Sequence, residues 1–224
     1  MGATRIRPYR AEDREGVRAV CFTTGYMGDP VAWQWRDRES FADLFSGWYT
    51  DHAPESALVA VDEDDQVVGY LLGCRDTTQV TLPPRLVAHH LVRRGLLVRP
   101  GTAPVVWRTI GDLVVAATRR RLPPSQVVDD RWPAHLHIDL LPAARGDGTG
   151  RRLMTRWLDA LREEGVAGCH LVTWAENDGA VAFFEAMGFR REGARQPMLG
   201  LRSPEGLRHH SQLMVQPLDG PVVS

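Results

Sequence analysis

The segment Arg145-Gly146-Asp147-Gly148-Thr149-Gly150 puts three glycines into six residues and sits between two strongly patterned runs. Before it, Ala134 to Leu140 reads as a strand that leads into Leu141-Pro142. After it, Leu153, Met154, Trp157, Leu158 and Leu161 mark one face of a helix that Gly165 ends. A strand that passes through a glycine turn into a helix aims several main-chain N–H groups outward at the positive end of the helix dipole, a geometry suited to phosphate. Glycine matters here because a Cβ blocks close approach of the backbone to a pyrophosphate and disfavours positive φ. Two familiar phosphate-binding patterns are excluded. A Walker loop requires Gly-Lys-Ser/Thr, whereas Gly150 is followed by Arg151; a dinucleotide fingerprint requires a third glycine where Leu153 stands.

The rest of the chain reads as an alternation of short elements around this turn. Thr4 to Tyr9 alternates like a strand, and Ala11 to Thr23 carries Val17, Val20 and Cys21 at helical spacing. Aromatic residues crowd between Asp29 and Asp51, and Phe41, Phe45, Trp48 and Tyr49 fit one face of a helix begun near Ser40. Ala57 to Val61 and Val67 to Cys74 form a hairpin across a polar turn. Residues 76–130, punctuated by proline and glycine, predict an inserted pair of helices. The second has an apolar stripe of Val106, Trp107, Ile110, Leu113, Val114 and Ala117, with Thr102 as its cap and Arg119 to Arg121 at its negative end. Beyond the glycine turn, Val166 to Trp174 reads as a buried strand. Ala180, Phe183, Phe184 and Met187 then stripe a helix ended by Gly188, and Arg190 to Leu218 supplies two antiparallel strands. No internal repeat or low-complexity linker divides the chain, so residues 1–224 are expected to form a single domain with a helical insertion at about 76–130.

The pattern resembles the GNAT superfamily of acetyl-CoA-dependent N-acetyltransferases, whose signature [RQ]xxGx[GA] follows a strand ending in an apolar-x-Pro sequence. Here that is Leu140-Leu141-Pro142, then Arg145, Gly148 and Gly150. The family's Asn followed by a helix and a Gly-Phe ending is matched by Asn177, Ala180, Phe184, Gly188 and Phe189; Asn177 is the one asparagine in the sequence. A closer likeness is to the acetyltransferase-like domain of animal O-GlcNAcases and related free-standing bacterial proteins, through Val68-Gly69-Tyr70-Leu71-Leu72-Gly73, the long insertion, and Pro133-Ala134-His135-Leu136-His137-Ile138-Asp139. The resemblance implies an α/β (α+β) GNAT fold, with a mixed, mostly antiparallel sheet, a splayed central strand pair and flanking helices. It further implies that backbone groups of Ile138, Asp139 and Leu140 pair with the pantetheine arm of acetyl-CoA, the Ile138 N–H donating to the acetyl carbonyl. Arg145, Gly146, Asp147, Gly148, Thr149 and Gly150 would hold the pyrophosphate, Asn177 would contact pantetheine, and Arg151 or Arg152 would reach a phosphate. The acceptor is an amine that the sequence does not name, and relatives of this kind often form homodimers, for which the exposed face of the insertion is available.

Acetyl transfer to an amine needs the ammonium deprotonated, the carbonyl polarised and the departing thiolate stabilised or protonated. The tyrosine that relatives commonly use as acid is matched by Phe184, and all four tyrosines precede the glycine turn. Losing a positioned acid costs ~10²–10⁴ in rate, which slows the chemistry without preventing it. Two positions where relatives often carry a base are Val172 and Ala134. His135, His137 and Asp139 share one strand face by alternation, and a histidine beside a carboxylate is a candidate base or relay at neutral pH. His137 and Asp139 are the expected catalytic pair, and His135 is expected to be a core residue. These substitutions also support a second reading, a catalytically weak or silent acyl-CoA-binding or protein-interaction module on the same fold.

Composition narrows the remaining classes. The 27 basic residues are all arginine, so lysine chemistry such as a Schiff base is excluded, and the arginine-rich, lysine-free usage is consistent with a GC-rich bacterial source. The near-balance with 28 acidic residues gives no general attraction to nucleic acid or to an anionic membrane. No run approaches a membrane span and the N-terminal residues lack a signal-peptide core, so a cytoplasmic protein is expected. Cys21, Cys74 and Cys169 are too far apart for a zinc motif and odd in number, which predicts buried thiols. Adjacent pairs such as His89-His90 and His209-His210 diverge on any regular element, and no metal site is expected.

Overall fold

The computed structural model describes residues 4–81, 83–120 and 126–218. A seven-stranded sheet runs in the order β1-β2-β3-β4-β5-β7-β6, with β1 Arg5–Pro8, β2 Ala57–Val61, β3 Val67–Cys74, β4 Ala134–Leu140, β5 Gly168–Trp174, β6 Arg190–Arg202 and β7 Arg208–Pro217. Every neighbouring pair is antiparallel except β4 and β5, whose parallel register is limited to Ala134 opposite Cys169 and His135 opposite His170. Past those two pairs the strands separate, so the sheet opens at its centre. This mixed, mostly antiparallel sheet with flanking helices has the architecture of the GNAT fold.

Strand alternation divides the core into two layers. On one face Leu58, Ala60, Leu71, Ala134 and Leu136 pack against helix α6 (Thr149–Glu163) through Leu153, Met154, Trp157, Leu158 and Leu161, and against α7 (Asp178–Ala186) through Val181 and Phe184. On the other face Val59, Val61, Tyr70 and Leu72 meet α1 (Arg14–Thr24) through Val17, Val20 and Cys21, together with Val31 and Phe41. Both faces of β3 and β4 are therefore covered, which holds β4 in place along the central opening. All three cysteines are buried and free. Among the described residues, no helix is long and apolar enough to cross a membrane.

Three local expectations are corrected. The helix expected from Ser40 begins at Arg38, because Asp37 Oδ1 accepts from the Ser40 N–H at 2.9 Å and caps α2 (Arg38–Ala42). It is then interrupted by a π-helical turn at Asp43–Gly47 before α3 (Trp48–His52); Phe45 still packs on Phe41, with ring centroids 4.5 Å apart, and is 46% exposed. The insertion does contain two helices, α4 (Pro84–Arg93) and α5 (Ala103–Thr118), but the apolar stripe of α5 is largely turned to solvent: Trp107 and Val114 are more than half exposed. The side that meets β6 is polar instead, with Asp112 accepting from the Gly200 N–H at 2.9 Å and pairing with Arg202 and Arg208. Thr102 does not cap α5 with its side chain; its buried hydroxyl accepts the Arg36 N–H at 3.0 Å and ties the insertion to the loop before α2. Of the arginine triplet after α5, Arg121 lies outside the described residues.

Candidate active site

The opening between β4 and β5 is a cavity of about 400 Å³. It runs from Asn177, Ala180 and Phe184 at one end, past Ile138 and Asp139, to Gln34, Trp35, Phe45 and Met198 at the other. The β4 side offers unpaired main chain. Leu141 N–H donates to Val68 C=O at 2.8 Å, so alternation turns the main-chain groups of Asp139 and His137 toward β3 and those of Ile138 and Leu136 toward the opening. The Ile138 N–H thus has the orientation expected of a donor to a bound carbonyl. The backbone of Asp139 does not: it faces β3, and Asp139 reaches the cavity with its side chain. The Leu140 C=O is already engaged, accepting from Arg145 Nε at 2.9 Å.

The glycine turn joins β4 to α6 as the pattern predicts. Gly146 has φ +83° and Gly148, the residue capping α6, has φ +82°, a region where a side chain is strained. Among the described residues, the N–H groups of Gly146, Asp147 and Gly148 bond to no protein acceptor, and all three residues are exposed. The next two amides differ from each other. Thr149 N–H donates to Asp147 Oδ1 at 2.9 Å and the Thr149 hydroxyl to Asp147 Oδ2, so these two residues cap the helix between themselves; Gly150 begins the run of helical N–H groups that have no intrahelical acceptor. These bonds hold the Asp147 carboxyl below its ordinary range. The Arg145 side chain points away from the turn and donates to Gly28 C=O at 2.6 Å. Arg152 is tied to the Asp147 and Thr4 carbonyls and to the Thr149 hydroxyl, whereas Arg151 is exposed and has no ion-pair partner among the described residues. Asn177 caps α7 through Oδ1, which accepts the Ala180 N–H at 3.1 Å; its amide donors are not used in that bond.

His137 and Asp139 meet on the α1 face of β4, with His137 Nε2 3.8 Å from Asp139 Oδ2. A third residue completes the group. Tyr70, fully buried on β3 directly opposite Asp139, donates its hydroxyl to Asp139 Oδ2 at 2.6 Å and lies 3.4 Å from His137 Nδ1. Burial and the adjacent carboxylate push the Tyr70 phenol well above its usual range, so it stays a donor. Burial likewise raises the Asp139 carboxyl, and the neighbouring His137 and the Tyr70 hydroxyl counter part of that shift. A carboxylate raised in this way is a better proton acceptor near neutrality than an exposed one. His135, by contrast, is held between the Tyr49 hydroxyl at 2.8 Å and the Thr77 hydroxyl at 2.7 Å, and burial lowers it to about 3. It is a neutral, satisfied imidazole of the core. Phe184 lines the cavity with 7% exposure and has no proton to give; Val172 lies at the cavity edge.

The wall opposite β4 comes from residues that no motif marks. Met27 has φ +53°, unusual for a side-chain-bearing residue, and Gly28 follows at φ +93°. This turn is fixed from two sides: Arg145 grips Gly28, and the Tyr26 hydroxyl is 3.0 Å from His209 Nε2, whose Nδ1 is 3.4 Å from Glu176. Glu176 also accepts from the His210 N–H and ring, so the adjacent histidines share a carboxylate partner. Among the described residues, no group of three or more His, Cys, Asp or Glu is placed to hold a metal ion.

A parallel strand pair that opens beside a glycine turn and a helix N-terminus defines an acyl-CoA-type transferase architecture, and sequence comparison agrees. The model of the acetyltransferase (GNAT) family matches residues 22–189, and the chain belongs to that family. It is 29% identical to SsHAT, whose crystal structure it matches over 97% of its own length and 100% of that chain with a TM-score of 0.64. At 17% identity it shares its fold with yncA from Salmonella typhimurium, solved with acetyl-CoA (99% and 97% covered, TM-score 0.58). It likewise shares it with the phosphinothricin acetyltransferase from Sinorhizobium meliloti in complex with AcCoA (99% and 92%, TM-score 0.57).

Proposed function

We propose that this protein is an acetyl-CoA-dependent N-acetyltransferase that passes the acetyl group directly to an amine within a ternary complex. The observation that carries this reading is one cavity lined by the free edge of β4 at Ile138, by the Asp139 carboxyl and by Asn177, on the strand that runs directly into the unpaired amides of the glycine turn. Family membership and two relatives of the same fold solved with acetyl-CoA support it.

In this reading the N–H groups of Gly146, Asp147, Gly148 and Gly150 receive the pyrophosphate, and Arg151 is the cation free to meet a phosphate. The Asn177 amide donates to the pantetheine arm, and Ile138 N–H polarises the acetyl carbonyl. Asp139 accepts a proton from the acceptor's ammonium, directly or by way of His137, while Tyr70 fixes the orientation of the carboxylate. The amine nitrogen then bonds to the acetyl carbon, and the C–S bond breaks to release the CoA thiolate. Phe184 cannot protonate that thiolate, so solvent or the acceptor's released proton must. No enzyme nucleophile enters the sequence, and the buried cysteines are unsuited to the role because burial drives all three thiols upward.

The test is initial-rate kinetics, following free thiol release from acetyl-CoA across a panel of primary amines. Direct transfer predicts double-reciprocal lines that intersect; parallel lines would point to a covalent enzyme intermediate. Phe184, together with the proton-inert Val172 and Ala134, favours the second reading of a catalytically weak or silent acyl-CoA-binding module. That reading predicts acetyl-CoA binding without amine-dependent thiol release.

A further inference from the structure

Outside β4 and β5, much of the cavity has an apolar lining. Val31, Trp35, Phe41, Phe45, Met198 and Leu201 line it, and among them sits Gln34, at the end of the short turn Val31–Trp33. Gln34 is 95% buried by its exposure of 5%, yet neither Nε2 nor Oε1 has a hydrogen-bond partner among the described residues. Several other buried side chains carry an unpartnered polar atom, including Arg7, His90, Trp132, Trp157 and Gln216, and none of these lines the cavity. Folded proteins seldom leave a buried amide unsatisfied at both ends, and beside a cavity such a group is open to pairing with whatever molecule occupies it.

We propose that Gln34 selects the acceptor, and that the acceptor is a primary amine carrying a neutral amide and an apolar side chain, as in an amino-acid amide or a peptide N-terminus. This inference rests on the transferase reading above and extends it to the substrate. The chemistry follows from the donor–acceptor inventory of glutamine. Its amide offers N–H donors and a carbonyl acceptor side by side, so it pairs at two points with another amide. A carboxylate provides acceptors only and an ammonium donors only, and each would leave one end of Gln34 unpaired. The apolar residues around Gln34 disfavour a second full charge and accommodate a hydrophobic side chain. Asp139, at the β4 side of the same cavity, receives the amine. The Gln34 amide atoms are closed off in the ligand-free arrangement, so the side chain must turn about its torsions to meet the acceptor. Unpaired at both ends, it has no protein hydrogen bond to break in doing so.

The test titrates two probes into the full-length protein saturated with CoA, reading binding by calorimetry so that slow turnover does not matter. L-Phenylalaninamide and 2-phenylethylamine share an amine and a ring and differ by the carboxamide. The expected result is at least about tenfold tighter binding of the amide, in line with sites that hydrogen-bond a substrate group and reject the analogue lacking it. Gln34→Met should erase that preference while leaving CoA affinity unchanged and the thermal midpoint no lower. Gln34→Glu, which replaces donors with an acceptor, should also lose it. Equal affinity of the two probes for the wild-type protein, no binding of phenylalaninamide at 10-fold the concentration that saturates other amines, or a preference that survives in Gln34→Met would each overturn the proposal. Failure of CoA itself to bind would instead remove the transferase reading on which it rests.

Discussion

The two ends of the proposed site are built in opposite ways. The proposed donor end is main chain: the free edge of β4, which lines the cavity, and beyond that lining the amides of Gly146, Asp147, Gly148 and Gly150, all within one contiguous stretch of sequence. The acceptor end is side chain, assembled from Met27, Val31, Gln34, Phe45, Met198 and Leu201, which lie on three separate segments. A ligand common to many reactions can be held by backbone geometry that a short motif specifies. A ligand particular to one reaction is held by side chains whose meeting only the folded sheet determines.

The largest expected effect tests the donor end. Gly148→Val forces a branched side chain into φ +82°, although the nearest atom to its Cβ would be 3.8 Å away, so backbone strain and loss of the turn rather than a clash do the damage. Acetyl-CoA affinity should fall ~100-fold or more, consistent with about 1–3 kcal/mol of strain added to the loss of several amide contacts. If affinity holds, the amides are not the phosphate site. Next comes the junction of the two ends: Asp139→Asn should lower kcat/KM by ~10²–10⁴ with CoA affinity unchanged, as expected for removal of a general base. It should also raise the thermal midpoint at neutral pH. Burial raises the folded-state pKa of Asp139 above its unfolded value, so its ionisation costs stability at pH values above that raised pKa, and the cost is relieved as pH falls through it. A lower midpoint would show that the carboxylate is stabilising in place.

Tyr70→Phe is a smaller perturbation with a distinct signature. The Tyr70 hydroxyl favours the ionised form of Asp139, so its removal should move the acid limb of the kcat/KM profile to higher pH and cut activity ~10-fold on that limb. A uniform loss at all pH values would make Tyr70 structural only. The smallest effect on chemistry is expected at His135. His135→Gln should leave kcat/KM within about twofold while removing an acid-labile term. Its imidazole falls from 6.5 unfolded to about 3 folded, so the stability it contributes is present above pH 6.5 and is lost as pH falls toward 3. Urea titrations of the two proteins at pH 7 and pH 5 read this directly: the difference between them should shrink at pH 5.

The same contrast explains what the sequence allowed to be read. Element order and the glycine turn were legible because each depends on local periodicity or on residues with special backbone freedom; the opening of β4 and β5 was expected only from the resemblance to the GNAT superfamily, and the capping of α7 by Asn177 was not anticipated. The short cues that resemble O-GlcNAcase-associated domains fall on β3 and β4, the strands that carry Tyr70, His137 and Asp139. Tyr70 itself was not legible as a site residue, since its role comes from the register that sets it opposite Asp139. The π-helical turn at Asp43–Gly47 leaves no mark in apolar spacing, and it interrupts a run that reads as one continuous helix. The apolar stripe of α5 was correctly periodic yet packs little of its surface, because Asp112 and its arginine partners on β6 and β7 fix the helix by its polar side. Gln34 and the Met27–Gly28 turn were invisible for the same reason as Tyr70: each matters through what the fold places beside it.

The proposed function requires the opening between β4 and β5 to take acetyl-CoA with its pyrophosphate on the glycine turn. A calorimetric titration of acetyl-CoA into the purified protein and its Gly148→Val variant tests this most directly. The expected result is micromolar binding at one site per chain that the variant loses. Absence of binding at millimolar acetyl-CoA, or equal binding by both proteins, would contradict it.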